Sequence, residues 1–282
     1  MVKKAIRKAD VLIEALPYIR RFNKKVFVIK YGGSILCEEK VRRAVFEDIA
    51  FLRYAGIRPV LVHGGGPRIS ERLREEKLPV KFVDGLRVTD ASTLKIVEEE
   101  LDKLNQTIVK ELINQGISAK GFSVNNPILQ VVQKKASQDL GRVGEIVDFK
   151  GDILKAALKE SVPVIAPIGV CKEKKTYNIN ADDAAFFLAA ELKAEKLILL
   201  TKVLGVMRNI KDDSSLISTI TADEIDKLIS NKVINEGMVP KVRAALKALK
   251  AGVGKAHIVD AKIPHAFLLE IFTNKGIGTE II

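Results

Sequence analysis

The apolar positions of this chain change their period along its length. Over residues 1–25, Ile6, Ala9, Leu12, Leu16 and Ile19 recur at steps of three and four, the spacing of an amphipathic helix. Pro17 lies inside that pattern and predicts a kink or a restart there. A short apolar run follows, Val26-Phe27-Val28-Ile29, and reads as a strand that enters Lys30-Tyr31-Gly32-Gly33-Ser34 directly. A helix is expected over 38–55. A second buried strand, Val60-Leu61-Val62, runs into His63-Gly64-Gly65-Gly66-Pro67 and another helix. Strand, glycine turn and helix thus occur twice.

Further strands are expected near 119–124, 128–133, 143–148, 163–166, 197–200 and 257–259. Helices are expected at 95–115, 182–193, 222–230, 238–250 and 264–271. Short apolar runs alternating with helical periods imply parallel strands joined by crossover helices, hence an α/β sandwich. No internal repeat or linker-like tract divides the chain. A boundary between two lobes is expected near 170–195, giving an N-terminal helix over 1–25, one lobe over 26–180 and a second over 181–282.

With 282 residues, 47 % of them hydrophobic, the chain can bury a substantial core. Its net charge of +12 first suggests a polyanion partner. The location of that charge argues otherwise. Residues 1–45 hold 12 Lys and Arg against 4 Asp and Glu, and the rest of the chain is nearly balanced. No aromatic interleaving or helix-turn-helix pattern accompanies the basic residues, so a nucleic-acid binder is not expected. Cys37 and Cys171 lack the spacing of a zinc site or a disulfide framework, and His63, His257 and His265 form no HExxH pattern. Apolar runs fall well short of the ~18 residues that span a bilayer. The expectation is a soluble protein of a reducing cytoplasm.

Five segments carry candidate chemistry. Gly32 and Gly33, at the end of a buried strand, let backbone N–H groups approach an anion, and Lys30 adds a point charge; a plain turn is the alternative. Gly64-Gly65-Gly66 ahead of a helix is a ready anion site, or a tight strand–helix junction. Arg87, in Gly85-Leu86-Arg87-Val88-Thr89, suits a carboxylate bidentately if it is not a surface arginine. Asn178-Ile179-Asn180-Ala181-Asp182 places two amides on one face and a carboxylate at a helix start, where Asp182 or Asp183 would serve equally as a cap. Lys241 stands in the first turn of a helix, where a cation is disfavoured unless an anion meets it. Two glycine loops after neighbouring parallel strands face the same sheet end and suggest a phosphoryl group passed between two cradles.

In the order KxGGS, HGGGP, GLRVTD, YNINAD, EGMxPK and GIGT, these residues resemble the amino acid kinase family from Lys30 to Thr279. Within it they are most similar to the branch that phosphorylates the γ-carboxylate of N-acetyl-L-glutamate for arginine biosynthesis, in its arginine-sensitive type. The resemblance implies a three-layer αβα sandwich of the carbamate kinase-like kind, with an acyl amino acid lobe and an ATP lobe, and Mg2+ held by the ATP phosphates rather than by protein ligands. It implies that Lys30 and Lys241 stabilise the transferring phosphoryl group and that Asp182 positions both. Gly32, Gly33, Gly64 and Gly65 would donate backbone N–H groups. Gly65, Gly66, Arg87, Asn178 and Asn180 would bind the substrate. Thr201, Lys202, Val203, Gly205 and Met238 would form the nucleotide region. Tyr18, Lys255, His257, Glu270, Gly276 and Gly278 would bind arginine as an effector, and a kinked N-terminal helix would interlace dimers into a hexamer. Lys202 stands where the family usually has Asp, and Ala261-Lys262 where Gly and Arg are common. The alternatives are a related kinase acting on carrier-bound aminoadipate or glutamate, and a catalytically weakened arginine-sensing subunit.

Overall fold

A computed structural model describes residues 2–32, 38–234, 238–273 and 276–282. Nine helices occur among them: α1 (Val2–Phe22), α2 (Glu39–Tyr54), α3 (Gly66–Glu75), α4 (Ala91–Asn114), α5 (Gly151–Glu160), α6 (Ala181–Glu191), α7 (Ile225–Ser230), α8 (Val239–Lys250) and α9 (Ala266–Ile271). The first seven strands are β1 (Val26–Tyr31), β2 (Arg58–His63), β3 (Phe82–Val83), β4 (Leu86–Arg87), β5 (Ala119–Phe122), β6 (Leu129–Gln133) and β7 (Gly144–Phe149). The rest are β8 (Val162–Ile165), β9 (Ile168–Val170), β10 (Thr176–Asn178), β11 (Lys196–Thr201), β12 (Thr219–Ile220), β13 (Lys255–Asp260) and β14 (Thr279–Ile281).

The central sheet has eight strands in the order β12-β14-β13-β11-β1-β2-β8-β5, parallel except where β13 meets β14. Side chains alternate between its faces, so each strand feeds two cores. On β1, Phe27, Ile29 and Tyr31 join the cluster under α2, α4 and α9, whereas Val28 joins the cluster under α5, α6 and α8. Two helical layers thus enclose the sheet, as an αβα sandwich requires. The chain leaves β1 towards β2 on one side, and β11 pairs with it on the other. The carboxyl end of β1 is therefore the switch point at which open α/β sheets bind ligands. A four-stranded sheet, β10-β9-β6-β7, stands beside the first half of the molecule.

Several boundaries differ from expectation for local reasons. The first helix runs unbroken through Pro17 and does not restart there. The helix expected over 222–230 is divided, because Thr221 and Glu224 form a capping box over a 3-10 turn at Ala222–Glu224 before α7 begins. The short strands β9, β10 and β14 were not anticipated, since three residues cannot display a period. Among the described residues, no helix is long and apolar enough to cross a membrane.

Candidate active site

Strand alternation aims Lys30 at its partner. Two positions after Val28, it projects to the same face, towards α6. There Asp182 stands in the first turn of α6, with Oδ1 2.9 Å from Lys30 Nζ and Oδ2 3.0 Å from Lys241 Nζ. Burial pushes the Asp182 carboxyl up, but the two ammonium groups outweigh it and hold the group below the ordinary carboxylate range. The cap of α6 is neither Asp182 nor Asp183. Asn180 Oδ1 accepts from both of their backbone N–H groups, at 2.8 and 3.2 Å, which frees Asp182 to serve the lysines.

A cavity of about 300 Å³ opens in front of this pair. Its walls include Lys30, Gly32, Gly64, Gly65, Gly66, Arg87, Asn178, Asn180 and Asp182, so residues far apart in the chain meet there. Gly33 lies outside the described residues. One expectation is corrected. The Gly64 N–H donates to the Tyr31 carbonyl at 2.9 Å, extending the β1–β2 pairing, and is not offered to a ligand. Gly65 and Gly66 open α3, where backbone N–H groups lack intrahelical acceptors. A side chain on Gly65 would meet Leu101 Cδ2 at 2.8 Å, whereas Gly66 faces open space.

Arg87 is placed by a hairpin rather than by a simple turn. Asp84 and Gly85 both take positive φ, 49° and 78°, as a two-residue hairpin loop demands. Phe82 then faces Arg87 across the ladder, and the guanidinium carbon lies 4.7 Å from the ring centroid. Nη2 donates to the Gly66 carbonyl at 3.0 Å and to Ser70 Oγ at 2.7 Å, while buried Nη1 has no hydrogen-bond partner among the described residues. A buried guanidinium on a cavity wall with one nitrogen unpartnered is able to meet a carboxylate. Asn178 donates from Nδ2 to Thr89 Oγ1 at 3.1 Å. Ser70 and Phe82 were missed. The Asp84-Gly85 pair between two apolar positions was the signal for the hairpin.

A second cavity, about 290 Å³, is lined by Thr201, Lys202, Val203, Gly205, Met238 and Lys241 together with apolar Val206, Met207, Ile210, Val233 and Ile234. It has cations at its edge and an apolar lining, which suits a flat base carrying phosphates. Lys241 borders this cavity, and its partner Asp182 borders the first. Among the described residues, no group of three or more His, Cys, Asp or Glu is placed to hold a metal ion.

On the opposite face of the sheet, α1 and the C-terminal segment enclose a smaller cavity of about 190 Å³. Tyr18, Lys255 and Glu270 line it, joined by Glu195, Lys196 and Glu280. His257 does not. It is buried behind the wall, with Nδ1 2.8 Å from Glu270 Oε1 and Nε2 2.7 Å from Lys196 Nζ. Glu270 Oε2 accepts from the N–H groups of Ile277 and Gly278, and a side chain on Gly276 would meet that oxygen at 2.5 Å. Burial lowers Lys196 to about 8. Lys196 and Glu280 were missed. A charged residue opening or interrupting an apolar strand was the available signal.

The model of the amino acid kinase family matches residues 25–260. An acetylglutamate kinase of Desulforamulus reducens is 43 % identical over 281 residues, 98 % of either chain. Among solved structures, N-acetylglutamate synthase from Neisseria gonorrhoeae complexed with coenzyme A and N-acetyl-glutamate superposes with a TM-score of 0.87 at 26 % identity, covering 97 % of this chain and 63 % of that one. The same synthase complexed with coenzyme A and L-arginine gives 0.82 at 27 % identity, covering 97 % and 65 %. This chain therefore spans under two thirds of the synthase.

Proposed function

The chain belongs to the amino acid kinase family, and we propose that it transfers the γ-phosphoryl group of ATP to the γ-carboxylate of N-acetyl-L-glutamate, forming N-acetyl-L-glutamyl 5-phosphate for arginine biosynthesis in the cytoplasm. The observation that carries this reading is the Lys30–Asp182–Lys241 bridge between the two cavities. The acyl amino acid occupies the cavity of Arg87, within the lobe of residues 26–180. ATP occupies the cavity of Thr201 and Met238, within the lobe of residues 181–282. Acetylglutamate kinases at 43 to 46 % identity over nearly the whole chain support the substrate.

The attacking carboxylate is ionised at neutral pH, so no general base is needed, and catalysis reduces to positioning and charge stabilisation. Arg87 Nη1 and Asn178 hold the α-carboxylate end of the substrate. Asn180, engaged through Oδ1 as a helix cap, presents the remainder of its amide to the same cavity. The Gly65 and Gly66 N–H groups meet the reacting end. Lys30 and Lys241, held in position by Asp182, stabilise the oxygens of the transferring phosphoryl group on which charge develops. Mg2+ bound to the nucleotide neutralises phosphate charge.

Arginine is the effector of the opposite-face cavity. Glu195, Glu270 and Glu280 beside Tyr18 suit a guanidinium, and an engaged carboxylate such as Glu270 keeps acceptor capacity. The chain assembles through α1 into a hexamer of three dimers. Leu12 and Ile13 on α1 are 67 % and 63 % exposed, an apolar surface consistent with burial by another copy. Acyl phosphate trapped with hydroxylamine, from ATP and N-acetylglutamate with and without arginine, tests the reading. No product from any acidic amino acid overturns it; product unaffected by arginine overturns the effector alone.

A further inference from the structure

Gly64 has both backbone polar groups drawn inward. Its N–H donates to Tyr31, and its carbonyl lies 3.2 Å from His63 Nδ1. His63 ends β2 opposite Tyr31, is fully buried, and has no part in the chemistry derived above. Its other ring nitrogen, Nε2, lies 3.1 Å from Asn105 Nδ2 on α4. The same amide nitrogen donates to the Val164 carbonyl of β8 at 3.0 Å, so the donor end of Asn105 is the one that meets the ring. Space for that amide depends on Gly121, where a side chain would meet Asn105 Oδ1 at 2.2 Å. An amide N–H only donates. Nε2 therefore accepts, and Nδ1 carries the proton that it donates to the Gly64 carbonyl. Burial lowers His63 to about 4, so the ring stays neutral at working pH.

No described peptide bond is cis, so the carbonyl of Gly64 and the N–H of Gly65 point in opposite directions across one planar unit. With the carbonyl held inward, the N–H is turned towards the cavity that Gly64, Gly65 and Gly66 border. Among the described residues the Gly65 N–H has no hydrogen-bond acceptor. We propose that His63, in the Nδ1–H tautomer imposed by Asn105, is a positioning residue that locks the Gly64–Gly65 peptide with the Gly65 N–H aimed at the substrate anion. Only the identity of that anion rests on the proposed function; the tautomer and the peptide orientation do not.

The test compares His63→Asn with His63→Gln. Asparagine keeps an N–H donor near the place of Nδ1, and glutamine keeps a polar atom only near that of Nε2. With matched melting temperatures, His63→Gln is expected to lose kcat on the order of 10- to 100-fold at unchanged KM for ATP, because a donor turned off its target forfeits transition-state binding. His63→Asn recovers about tenfold or more of that loss. Equal losses in both variants, or wild-type kcat in His63→Gln, overturn the proposal. Nitrogen-15 spectra of the wild-type histidines read the tautomer independently of turnover. A protonated Nδ1 and a bare Nε2, unchanged down to about pH 5, are expected, and a ring that charges near its ordinary value of about 6.5 overturns the proposal. Should His63→Gln fail to fold, Asn105→Ala replaces it. Mixed tautomers with lowered kcat are then expected, and mixed tautomers with wild-type kcat overturn the proposal. A wild-type enzyme that phosphorylates no acidic amino acid defeats the functional reading while the tautomer spectra still decide this one.

Discussion

Lys241 Nζ lies 3.0 Å from Asp182 Oδ2, and that contact joins the cavity on which Lys241 borders to the one on which Asp182 borders. It also answers why a lysine tolerates the first turn of α8, where the helix dipole opposes it: the compensating charge comes from the first turn of α6, where the dipole favours an anion. Lys241→Ala is expected to lower kcat on the order of 100- to 1000-fold while KM for N-acetylglutamate changes little, since the ammonium acts on charge that exists only in the transition state. Steady-state kinetics decide it. A change confined to KM would mean that Lys241 merely binds ground-state ATP.

Asp182 supplies a pH prediction. Its carboxyl titrates below its ordinary value in the folded chain, so the stabilisation is complete above the unfolded value of about 4 and is lost as pH falls through the depressed one. Denaturant unfolding should show wild type losing stability faster than Asp182→Asn on descending from about pH 5. Parallel curves would mean that the two lysines do not bias the carboxyl.

Arg87 is predicted to act on binding. With Nη2 committed to Gly66 and Ser70, the substrate meets Nη1, and Arg87→Ala removes both the contact and the support of the glycine loop. KM for the acidic substrate is expected to rise about 10- to 100-fold, the worth of a charge-assisted hydrogen bond, with a smaller fall in kcat. Arg87→Lys should not restore affinity, because a single ammonium cannot bond Ser70, Gly66 and a carboxylate in one plane. An unchanged KM in Arg87→Ala would remove the carboxylate assignment.

The alternation of strands and helices and the pairing of glycine loops were legible because they rest on local signals: apolar runs of strand length and glycines at their ends. Lys30 and Asp182 stood out as candidates for the same reason, each lying beside an element boundary, while the role of Asp182 came with the family resemblance. What the sequence withheld depends on contacts between distant segments. Nothing near Asn180 distinguishes it from Asp182 or Asp183 as the cap of α6, since both residue types cap well and only the direction of the chain entering from β10 decides. Gly64 looked like Gly65, yet its N–H is consumed by a β1 carbonyl that pairing in register brings to it. His257 lies on the face of the effector cavity but behind its wall, a matter of depth that parity along a strand does not reveal.

Removal of residues 1–25 is expected to lower the mass measured by light scattering while leaving the dimer and basal turnover in place. The helix presents exposed Leu12 and Ile13 at its middle and packs at its C-terminal end, where Tyr18 and Phe22 meet Phe272. The truncated protein should also lose arginine inhibition, because Tyr18 leaves the effector cavity. An unchanged mass would contradict assembly through α1.

Lys196 provides the sharpest reading of the opposite face. It is 6 % exposed, donates to neutral His257, and is lowered by burial to about 8 from an ordinary value near 10.5. Between those values the unfolded chain keeps a proton that the folded chain has released, so the stability of the wild-type protein rises with pH across that window. Below it, the charged buried form costs stability. Lys196→Met has no such proton and should be the more stable of the two near pH 7, by on the order of 1–3 kcal/mol, with the advantage shrinking as pH approaches 10. Urea unfolding at three pH values between about 7 and 10 measures this difference. A constant difference between the curves would show an ammonium that stays hydrated, with the relay from Lys196 through His257 to Glu270 contributing nothing to the acid–base behaviour of the effector cavity.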